Sequence, residues 1–415
     1  MKRVLVIGAG FAGVAAAVAA RAEGAEVRVV GTAVGASSSW PGACDDEPWD
    51  ERERAAGLVG AALVMPDIDA EERALLEALG LHVPEGGSPL PLVAATSGRL
   101  RSTLAHDRAL LDLGRCEGRV VLVPRASRAS WDADTLVLAL TEEAARRGLD
   151  VELAVCELPV LRYDDERRAH DADIAARHDE AARRDWLVER LRPGIERVGR
   201  DQAALLLGPW LGLVRERASE LEERFGLPVG EALAATASTV GIRFEGARAA
   251  LLAREGVALV EGKATRVLAG GRRLRVELAG ADALEADAVV LATGGLAGGG
   301  IVYQPTEYAA GPEGAEASRS PFRLSLELAG SLVAVEGARR SVGSMFGPDL
   351  GALAWPRPAA PGALERVGVI TRGTEVVPRV HAAGDVVAAE PRTVLRALRS
   401  GLAAGRGAAR SVVEA

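Results

Sequence analysis

The chain has 415 residues, with 50 Lys and Arg against 58 Asp and Glu, a formal net charge of -8 and 48% apolar residues. Net negative charge and an aromatic content of only 3% argue against a partner with a phosphate backbone, so nucleic-acid binding is not expected. Glycine is over-represented, since 48 of the 415 residues, about 12%, are glycine where about 7% is usual. Its clusters are typical of a backbone that closely approaches a ligand.

The spacing of the cysteines and the make-up of the hydrophobic runs argue against metal-binding, secreted and membrane-spanning proteins. Cys44, Cys116 and Cys156 lie far apart without a CxxC pair or a Cys/His cluster, so no metal site is expected and the chain fits a reducing compartment. Glycines break both the N-terminal apolar run and the uncharged run over residues 288–306, which argues against a secretory signal and a membrane span. We therefore expect a cytoplasmic protein without a transmembrane segment of its own.

The chain opens with a predicted βαβ unit. Arg3–Ile7 is a short β-branched run, residues 8–13 form a turn, residues 11–23 form an alanine-rich helix and residues 25–30 form a second strand. The turn reads GxGxxG, a pattern that brings a phosphate to the amides at a helix N-terminus. We expect it to bind a nucleotide or a flavin through Gly8, Gly10, Phe11, Ala12 and Gly13.

The carboxylate that usually follows the second strand of such a unit is missing. An Asp or Glu there would hold an adenosine ribose, but the sequence reads Val30, Gly31, Thr32. Either the ligand has no adenosine ribose, as in FMN, or another group such as Glu26 or a more distant residue replaces the missing carboxylate.

A loop of small residues follows over positions 35–42. Its hydroxyl groups on Ser37, Ser38 and Ser39 can donate hydrogen bonds to a flat ring system without steric conflict, although a surface turn has the same composition. An acidic opening then leads into an amphipathic helix predicted over residues 49–63.

The middle of the chain predicts a second α/β region. Its most charged segment, residues 163–192, carries Ile174, Ala181, Leu187 and Leu191 near helical spacing, which fits a solvated helix or, alternatively, a partner-docking arm. The strands and helices predicted around it are strands 120–123, 150–155 and Ala203–Leu207 and helices 132–147, 215–225 and 240–254.

Strands predicted over residues 257–260, 273–278 and 288–292 return the chain to its first domain. The last of these ends in Thr293 and Gly294, and a later apolar segment ends in Gly384 and Asp385. In a flavoprotein both endings would lie beside the cofactor, with Asp385 accepting a ribityl hydroxyl. A helix is predicted to start at residues 390–393, with Pro391 in its first turn and Thr393 at the cofactor, where the positive helix end would stabilise a reduced ring.

These elements predict an α/β fold. Its main part is a Rossmann-like flavin-binding domain, three layers around a parallel sheet, with an inserted α+β cap subdomain. We assign residues 1–95, 256–300 and 365–415 to the flavin-binding domain, residues 96–255 to an inserted α/β subdomain, and residues 301–364 to a cap or connecting segment.

With these motifs the chain resembles the flavoprotein superfamily of fumarate reductases and succinate dehydrogenases, and within it the B subunits of anaerobic glycerol-3-phosphate dehydrogenases. The superfamily resemblance is carried by the glycine turn, the serine loop and the two strand endings. The narrower one is carried by segments 96–103, 205–213, 239–243, 298–301 and 368–378.

The resemblance implies an FMN-bearing subunit that relays electrons, beside an FAD-bearing catalytic subunit and an iron–sulfur subunit of a complex linked to membrane quinones. The protein would then lie at the inner face of the cell membrane through these partners. Asp385 follows the general superfamily pattern rather than the neutral residue of the B subunits, which leaves FAD open.

Two other functions remain open, a self-sufficient flavin reductase or dehydrogenase of a small organic substrate, and a non-catalytic scaffold with a vestigial nucleotide site. Catalysis on a small acid would need arginines and a histidine or an acid over the flavin. Arg243, Arg339, Arg340 and His381 are candidates, each with a purely structural role as its alternative, so the catalytic residues stay unassigned.

Overall fold

A computed structural model describes residues 2–31, 35–44, 67–234, 239–269, 272–305, 322–325, 333–341 and 366–411. The chain divides into two compact units. The described residues of Met1–Ser37 and Ala249–Ala415 belong to the first unit, and those of Ser38–Glu47 and Asp67–Arg248 belong to the second. The helix predicted over residues 49–63 lies outside the described residues.

The α-helices of the described residues fall in both units and begin and end as follows. They are α1 (Phe11–Ala22), α2 (Ala70–Ala78), α3 (Ala133–Arg147), α4 (Asp171–His178), α5 (Ala181–Val198), α6 (Ala218–Phe225), α7 (Thr239–Arg254) and α8 (Val394–Ser411). Short 3-10 helices cover Ala36–Ser39, Leu113–Cys116, Asp164–Arg167, Arg200–Gln202 and Gly384–Val386.

The strands are numbered in chain order. They are β1 (Arg3–Ile7), β2 (Glu26–Gly31), β3 (Ala43–Cys44), β4 (Leu81–His82), β5 (Leu92–Ala94), β6 (Leu100–Ser102), β7 (Ala105–Asp107), β8 (Arg119–Pro124), β9 (Val151–Cys156), β10 (Ala203–Leu207), β11 (Val229–Glu231), β12 (Ala258–Glu261), β13 (Ala264–Ala269), β14 (Leu274–Leu278), β15 (Ala281–Ala286), β16 (Ala288–Leu291), β17 (Val302–Pro305), β18 (Phe322–Ser325), β19 (Ala334–Val335), β20 (Arg340–Ser341), β21 (Gly368–Val369), β22 (Glu375–Val377) and β23 (Val380–Ala382).

The first unit is built around a sheet with the strand order β12-β2-β1-β16-β23-β22. All neighbouring pairs are parallel except β22 with β23. Buried parallel strands need apolar residues on both faces, and β1 supplies them from Val4 to Ile7. The predicted Rossmann-like parallel sheet is thereby confirmed.

Two further layers cover this sheet. Leu5 and Ile7 share a hydrophobic cluster with Val267 and Val276 of the antiparallel strands β13 and β14. Successive strand residues point to opposite faces, so the other side chains of β1 point to the face where α1 and α8 contact the strand. The predicted three-layer arrangement therefore consists of helices, a parallel sheet and an antiparallel sheet.

The second unit contains a sheet with the order β11-β10-β8-β9, in which every pair is parallel. It is therefore α/β at its centre, with small antiparallel sheets added by β3, β4 and β7 and by β5 and β6. Trp131 and Trp210 meet edge to face in its core, with ring centroids 5.5 Å apart.

The boundary between the units differs from the predicted one. Residues 38–44 and 67–95 were assigned to the flavin-binding domain but belong to the second unit, and residues 249–255 were assigned to the inserted subdomain but belong to the first. Long-range pairing explains the end of the second range: the Leu233 amide donates to the Ala94 carbonyl at 2.7 Å, and the Ala94 amide donates to the Leu111 carbonyl at 3.3 Å.

The charged segment is helical, as predicted, and forms α4 and α5. Ile174, Leu187 and Leu191 are buried in the core of the second unit. Ala181 is exposed because it is the first residue of α5 and does not yet face the core. The apolar residues of this segment thus stabilise the second unit itself.

Candidate functional site

The carboxyl ends of the central strands of the first unit lie side by side. Ile7 is in register with Val30 on one side and with Leu291 on the other, and Leu291 is in register with Ala382. The chain leaves β1 toward β2 and returns to the opposite side of β1 at β16, so the connections diverge there. Open α/β sheets bind ligands at this kind of divergence, outside the carboxyl ends of the strands.

The glycine turn after β1 depends on two positions that have no room for a side chain. Gly8 has a φ of 111°, and a Cβ there would lie 2.0 Å from the Ala292 carbonyl oxygen. A Cβ at Gly13 would lie 1.9 Å from the Gly8 carbonyl oxygen. Both glycines are therefore required for packing of the turn and the helix against the sheet.

Gly10 is different, because the space beside it is free of backbone atoms. A Cβ at Gly10 would meet the Ser37 Oγ at 2.8 Å, and the Phe11 amide donates a hydrogen bond to the same Oγ at 3.2 Å. Gly10 is the N-cap of α1, and the first turn, which includes Ala12 and Gly13, has no acidic residue. Within the described residues, no acidic side chain of the first turn neutralises the positive end of α1, which suits an anion such as a phosphate.

The three serines of the small-residue loop separate into two environments. They lie on the 3-10 helix Ala36–Ser39 and are half-buried. Ser37 contacts the start of α1, as described above. Ser38 belongs to the second unit, where its hydroxyl donates to the Glu245 carboxylate on α7. Only Ser37 is thus brought to the glycine turn within the first unit, and Ser38 and Ser39 are not.

The turn after β16 is compact and brings Thr293 and Gly294 to the carboxyl edge of the sheet. Gly294 has a φ of 78°, and a Cβ at Gly300 would lie 1.8 Å from its carbonyl oxygen. The Gly300 amide closes the turn by donating to the Gly295 carbonyl at 2.9 Å. Thr293 is half-buried directly after the strand.

Asp385 has an unused carboxylate at the end of β23. Gly384, with a φ of 73°, turns the chain there, and its amide donates to the Ser400 Oγ on α8 at 2.9 Å. Burial raises the pKa of the Asp385 carboxyl group, and the charge of Arg392 opposes this effect. No residue in the described parts of the chain donates a hydrogen bond to this carboxylate. It is an acceptor suited to the hydroxyl groups of a ligand.

Thr393 caps α8, and the helix starts later than predicted. The helix begins at Val394, so Pro391 precedes it and does not lie in its first turn. The Thr393 Oγ1 accepts a hydrogen bond from the Arg396 amide at 3.2 Å. A threonine at the N-cap satisfies one of the first-turn amides, which have no acceptor within the helix. The first turn of α8 has no acidic residue, so its positive end is not neutralised locally.

Two of the candidate catalytic residues make hydrogen bonds to other residues of the fold. His381 lies in β23 with its Nδ1 2.9 Å from the Thr374 Oγ1 and its Nε2 3.3 Å from the Ser411 Oγ, and burial lowers its pKa. Arg243 is buried in the second unit, where it donates to carboxylates and to a backbone carbonyl. Its acceptors are Asp107 Oδ1 at 3.0 Å, Glu231 Oε2 at 2.8 Å and the Gly212 oxygen at 2.7 Å.

Arg339 and Arg340 are exposed next to and within β20. Burial raises the pKa of Glu231, one of the partners of Arg243, because desolvation outweighs the attraction of the arginine. Neither His381 nor Arg243 therefore has the geometry of a proton donor or acceptor at the carboxyl edge of the sheet.

Two glutamates bear on the missing ribose carboxylate. Glu26 is in register with Arg3 at the amino end of β2, on the edge of the sheet away from the glycine turn, and it forms an ion pair with Arg3 at 3.4 Å. It cannot replace the missing group. Glu261, which the sequence motifs did not single out, ends β12 in register with Gly31 at the carboxyl edge. Its only sequence signal is that it closes a strand of the same sheet.

The described residues offer neither a cluster of metal ligands nor a membrane-spanning helix. They contain no group of three or more His, Cys, Asp or Glu side chains able to hold a metal ion. In the same part of the chain, no helix is both long enough and apolar enough to cross a membrane.

No protein-family model and no curated protein sequence matches the chain. Among solved structures it is similar to CabE, an aromatic hydroxylase from angucycline biosynthesis, at 14% identity over 99% of this chain and 62% of CabE, with a TM-score of 0.34. It is also similar to Mycobacterium smegmatis Sdh1 in complex with UQ1, at 13% identity over 99% and 69% of the two chains, with a TM-score of 0.35. A variant of Klebsiella pneumoniae HpxO complexed with FAD matches at 10% identity over 97% and 80%, with a TM-score of 0.30.

The chain thus spans less than two thirds of the length of CabE.

Proposed function

We propose that the protein is a flavin-dependent oxidoreductase whose flavin binds along the carboxyl edge of the sheet of the first unit. The observation that carries the proposal is the pairing, on this one edge, of a glycine-turn helix N-terminus without an acidic residue at Gly10 and a carboxylate without a hydrogen-bond donor among the described residues at Asp385. A phosphate and a polyol joined in one ligand match these two groups, and a flavin nucleotide has both.

Each residue has a defined role in this proposal. The Phe11 and Ala12 amides bind the phosphate, with Gly8, Gly10 and Gly13 allowing its approach. Asp385 accepts the ribityl hydroxyls, and the turn at Thr293 and Gly294 borders the ring. The N-terminus of α8, capped by Thr393, directs positive potential toward any negative charge that develops near it. The bound flavin would supply hydride or electron transfer, which no side chain can provide.

In its narrower form the proposal is an electron-relay subunit of a quinone-linked anaerobic glycerol-3-phosphate dehydrogenase. Five segments support it, the first at residues 96–103 and the last at residues 368–378, because they resemble segments of the B subunits. An FAD-bearing catalytic subunit and an iron–sulfur subunit would then be partners that hold the chain at the cell membrane. The engaged states of His381 and Arg243 agree with a relay, which needs no substrate-activating residues of its own.

The second candidate is a self-sufficient reductase or dehydrogenase of a small organic substrate. Asp385 favours it, because this residue departs from the neutral one that the B subunits often have. The two candidates differ in whether the isolated chain turns over a substrate by itself.

The first experiment is an absorbance spectrum of the purified protein, followed by acid release and chromatography of any yellow cofactor. We expect one flavin per chain, and the Gly10→Ala variant purified in parallel should be colourless but folded. A wild-type protein that is colourless and cannot be reconstituted with FAD or FMN would contradict the proposal.

A second experiment separates the two candidates. The relay predicts copurification with an iron–sulfur protein and no steady oxidation of glycerol 3-phosphate by the isolated chain with an artificial electron acceptor. Steady turnover by the isolated chain would refute the relay, and reduction of fumarate or of an enone would support the self-sufficient reductase.

A further inference from the structure

The strand next to β2 ends in a carboxylate. Glu261 is the last residue of β12 and is in register with Gly31, the last residue of β2. The pairing continues past it, because the Gly262 amide donates to the Gly31 carbonyl at 3.3 Å. Glu261 is therefore held in the sheet at its carboxyl edge.

The register also determines the direction of the Glu261 side chain. Residues in register on neighbouring strands point to the same face of a sheet. A Cβ built at Gly31 would lie 3.4 Å from the Ala9 Cβ and 3.5 Å from the Ala9 nitrogen, so this face is the one that carries the glycine turn. Glu261 thus projects on the turn side of the sheet, one strand beyond the position where a ribose carboxylate is missing.

The Glu261 carboxylate is free to bind a ligand. The residue is exposed, and within the described residues no cation pairs with it and no group donates a hydrogen bond to it. Glu26, by contrast, lies at the opposite edge and is paired with Arg3. An unpaired carboxylate beside a phosphate-binding turn is suited to hydroxyl donors and unfavourable for a second phosphate.

The spacing fits a nucleotide ribose. A phosphate at the Phe11 amide lies over the end of β1, which is two strand spacings, or about 10 Å, from β12. The 3′-hydroxyl of a nucleotide is five bonds from its 5′-phosphorus, a reach of about 6 Å at about 1.2 Å per bond. A hydrogen bond of about 2.7 Å then closes most of the remaining distance.

We propose that Glu261 binds the 2′- and 3′-hydroxyls of an adenosine ribose, and that the flavin is therefore FAD. This inference rests on the proposed function and extends it by naming the cofactor and the residue that selects it. The carboxylate replaces, from β12, the acidic residue that β2 lacks at Gly31. FMN has no group that reaches this position.

The test measures the dissociation constants of FAD and FMN for the flavin-free protein by fluorescence titration. We expect wild-type protein to bind FAD more tightly than FMN, and Glu261→Ala to weaken FAD binding about 10- to 100-fold, the value for hydrogen bonds to a charged group. FMN binding should be unchanged. Glu261→Gln, which keeps an acceptor but loses the charge, should fall between the two proteins.

Glu26→Ala is the matched control, since it removes a carboxylate from the other edge of the same sheet, and it should change neither constant. Thermal unfolding of each variant verifies the fold. Wild-type FAD affinity in Glu261→Ala, or a preference of the wild type for FMN, would overturn the inference while leaving the proposed function intact. If the wild type binds neither flavin, the proposed function fails as well.

Discussion

Replacing Gly10 by alanine should separate flavin binding from folding. The φ of Gly10 is -76°, which suits alanine, and among the described residues outside its own helix only the Ser37 side chain would lie within 4 Å of the new Cβ. Since a serine hydroxyl can rotate away and alanine is only a poorer N-cap than glycine, we expect the free energy of unfolding to fall by less than about 1 kcal/mol.

The same methyl group should strongly weaken flavin binding. It points at the oxygen that accepts the Phe11 amide, which is where a phosphate oxygen must lie to accept that hydrogen bond. Losing two charge-assisted hydrogen bonds of about 1.5–3 kcal/mol each raises the dissociation constant about 10²- to 10⁴-fold. Substitution of Gly8 or Gly13 would not allow this test, because their Cβ atoms would collide with backbone carbonyls.

The assay combines flavin titration with thermal unfolding of the flavin-free protein. Ser37→Ala and the double variant Gly10→Ala/Ser37→Ala are the controls. Removing the Ser37 hydroxyl should relieve its close contact with the new methyl group without restoring flavin affinity. Flavin affinity of wild-type strength in Gly10→Ala would refute the assignment of the phosphate to this helix N-terminus.

Three further predictions concern buried charge. Because burial raises the pKa of Asp385, its ionised form destabilises the flavin-free fold at pH values above that pKa. Asp385→Asn should therefore unfold at a higher temperature than wild type at pH 8, and this difference should vanish in acid. The variant should also bind flavin about 10- to 100-fold more weakly. A lower unfolding temperature than wild type at pH 8 would contradict this account. Arg243→Leu should cost about 3–5 kcal/mol in urea unfolding because it leaves two buried carboxylates uncompensated, whereas an effect below about 1 kcal/mol would show that they are not charged. Burial lowers the pKa of His178 to about 3, so the unfolded chain binds one more proton between about pH 6.5 and pH 3, and wild-type stability is lost there by up to about 1.4 kcal/mol per pH unit as the pH falls. In His178→Gln the free energy of unfolding should fall less steeply between pH 6.5 and pH 4 than in wild type. Equal slopes in the two proteins would show that His178 does not take up this proton on unfolding.

Prediction from the sequence was most accurate where a feature depends on neighbouring residues. The β1 strand lies at the predicted residues, and the glycine turn and α1 follow it as expected. The strand Ala203–Leu207 is likewise confirmed. Short runs of β-branched and leucine residues, and glycines at fixed offsets, are local signals, and their structural consequences are formed within a few residues.

Features that depend on pairing across the chain were harder to predict. Residues up to 95 were expected in the flavin-binding domain, but Ala94 lies in the second unit, where its carbonyl accepts from the Leu233 amide, more than a hundred residues away. The serines of one loop were expected to act together, but Ser38 instead donates to Glu245 of the second unit. The sequence contains both partners of each contact but no local pattern that identifies them.

Glu26 and Glu261 show the same difference between local features and features that depend on long-range pairing. The sequence by itself determined that a GxGxxG turn follows β1 and that no carboxylate follows β2, because both properties belong to consecutive residues. Only the tertiary structure decided that Glu26 lies at the amino edge of the sheet and Glu261 at the carboxyl edge. The physical reason is strand order: β12 follows β2 by more than two hundred residues in the chain, yet backbone hydrogen bonds place them side by side in register.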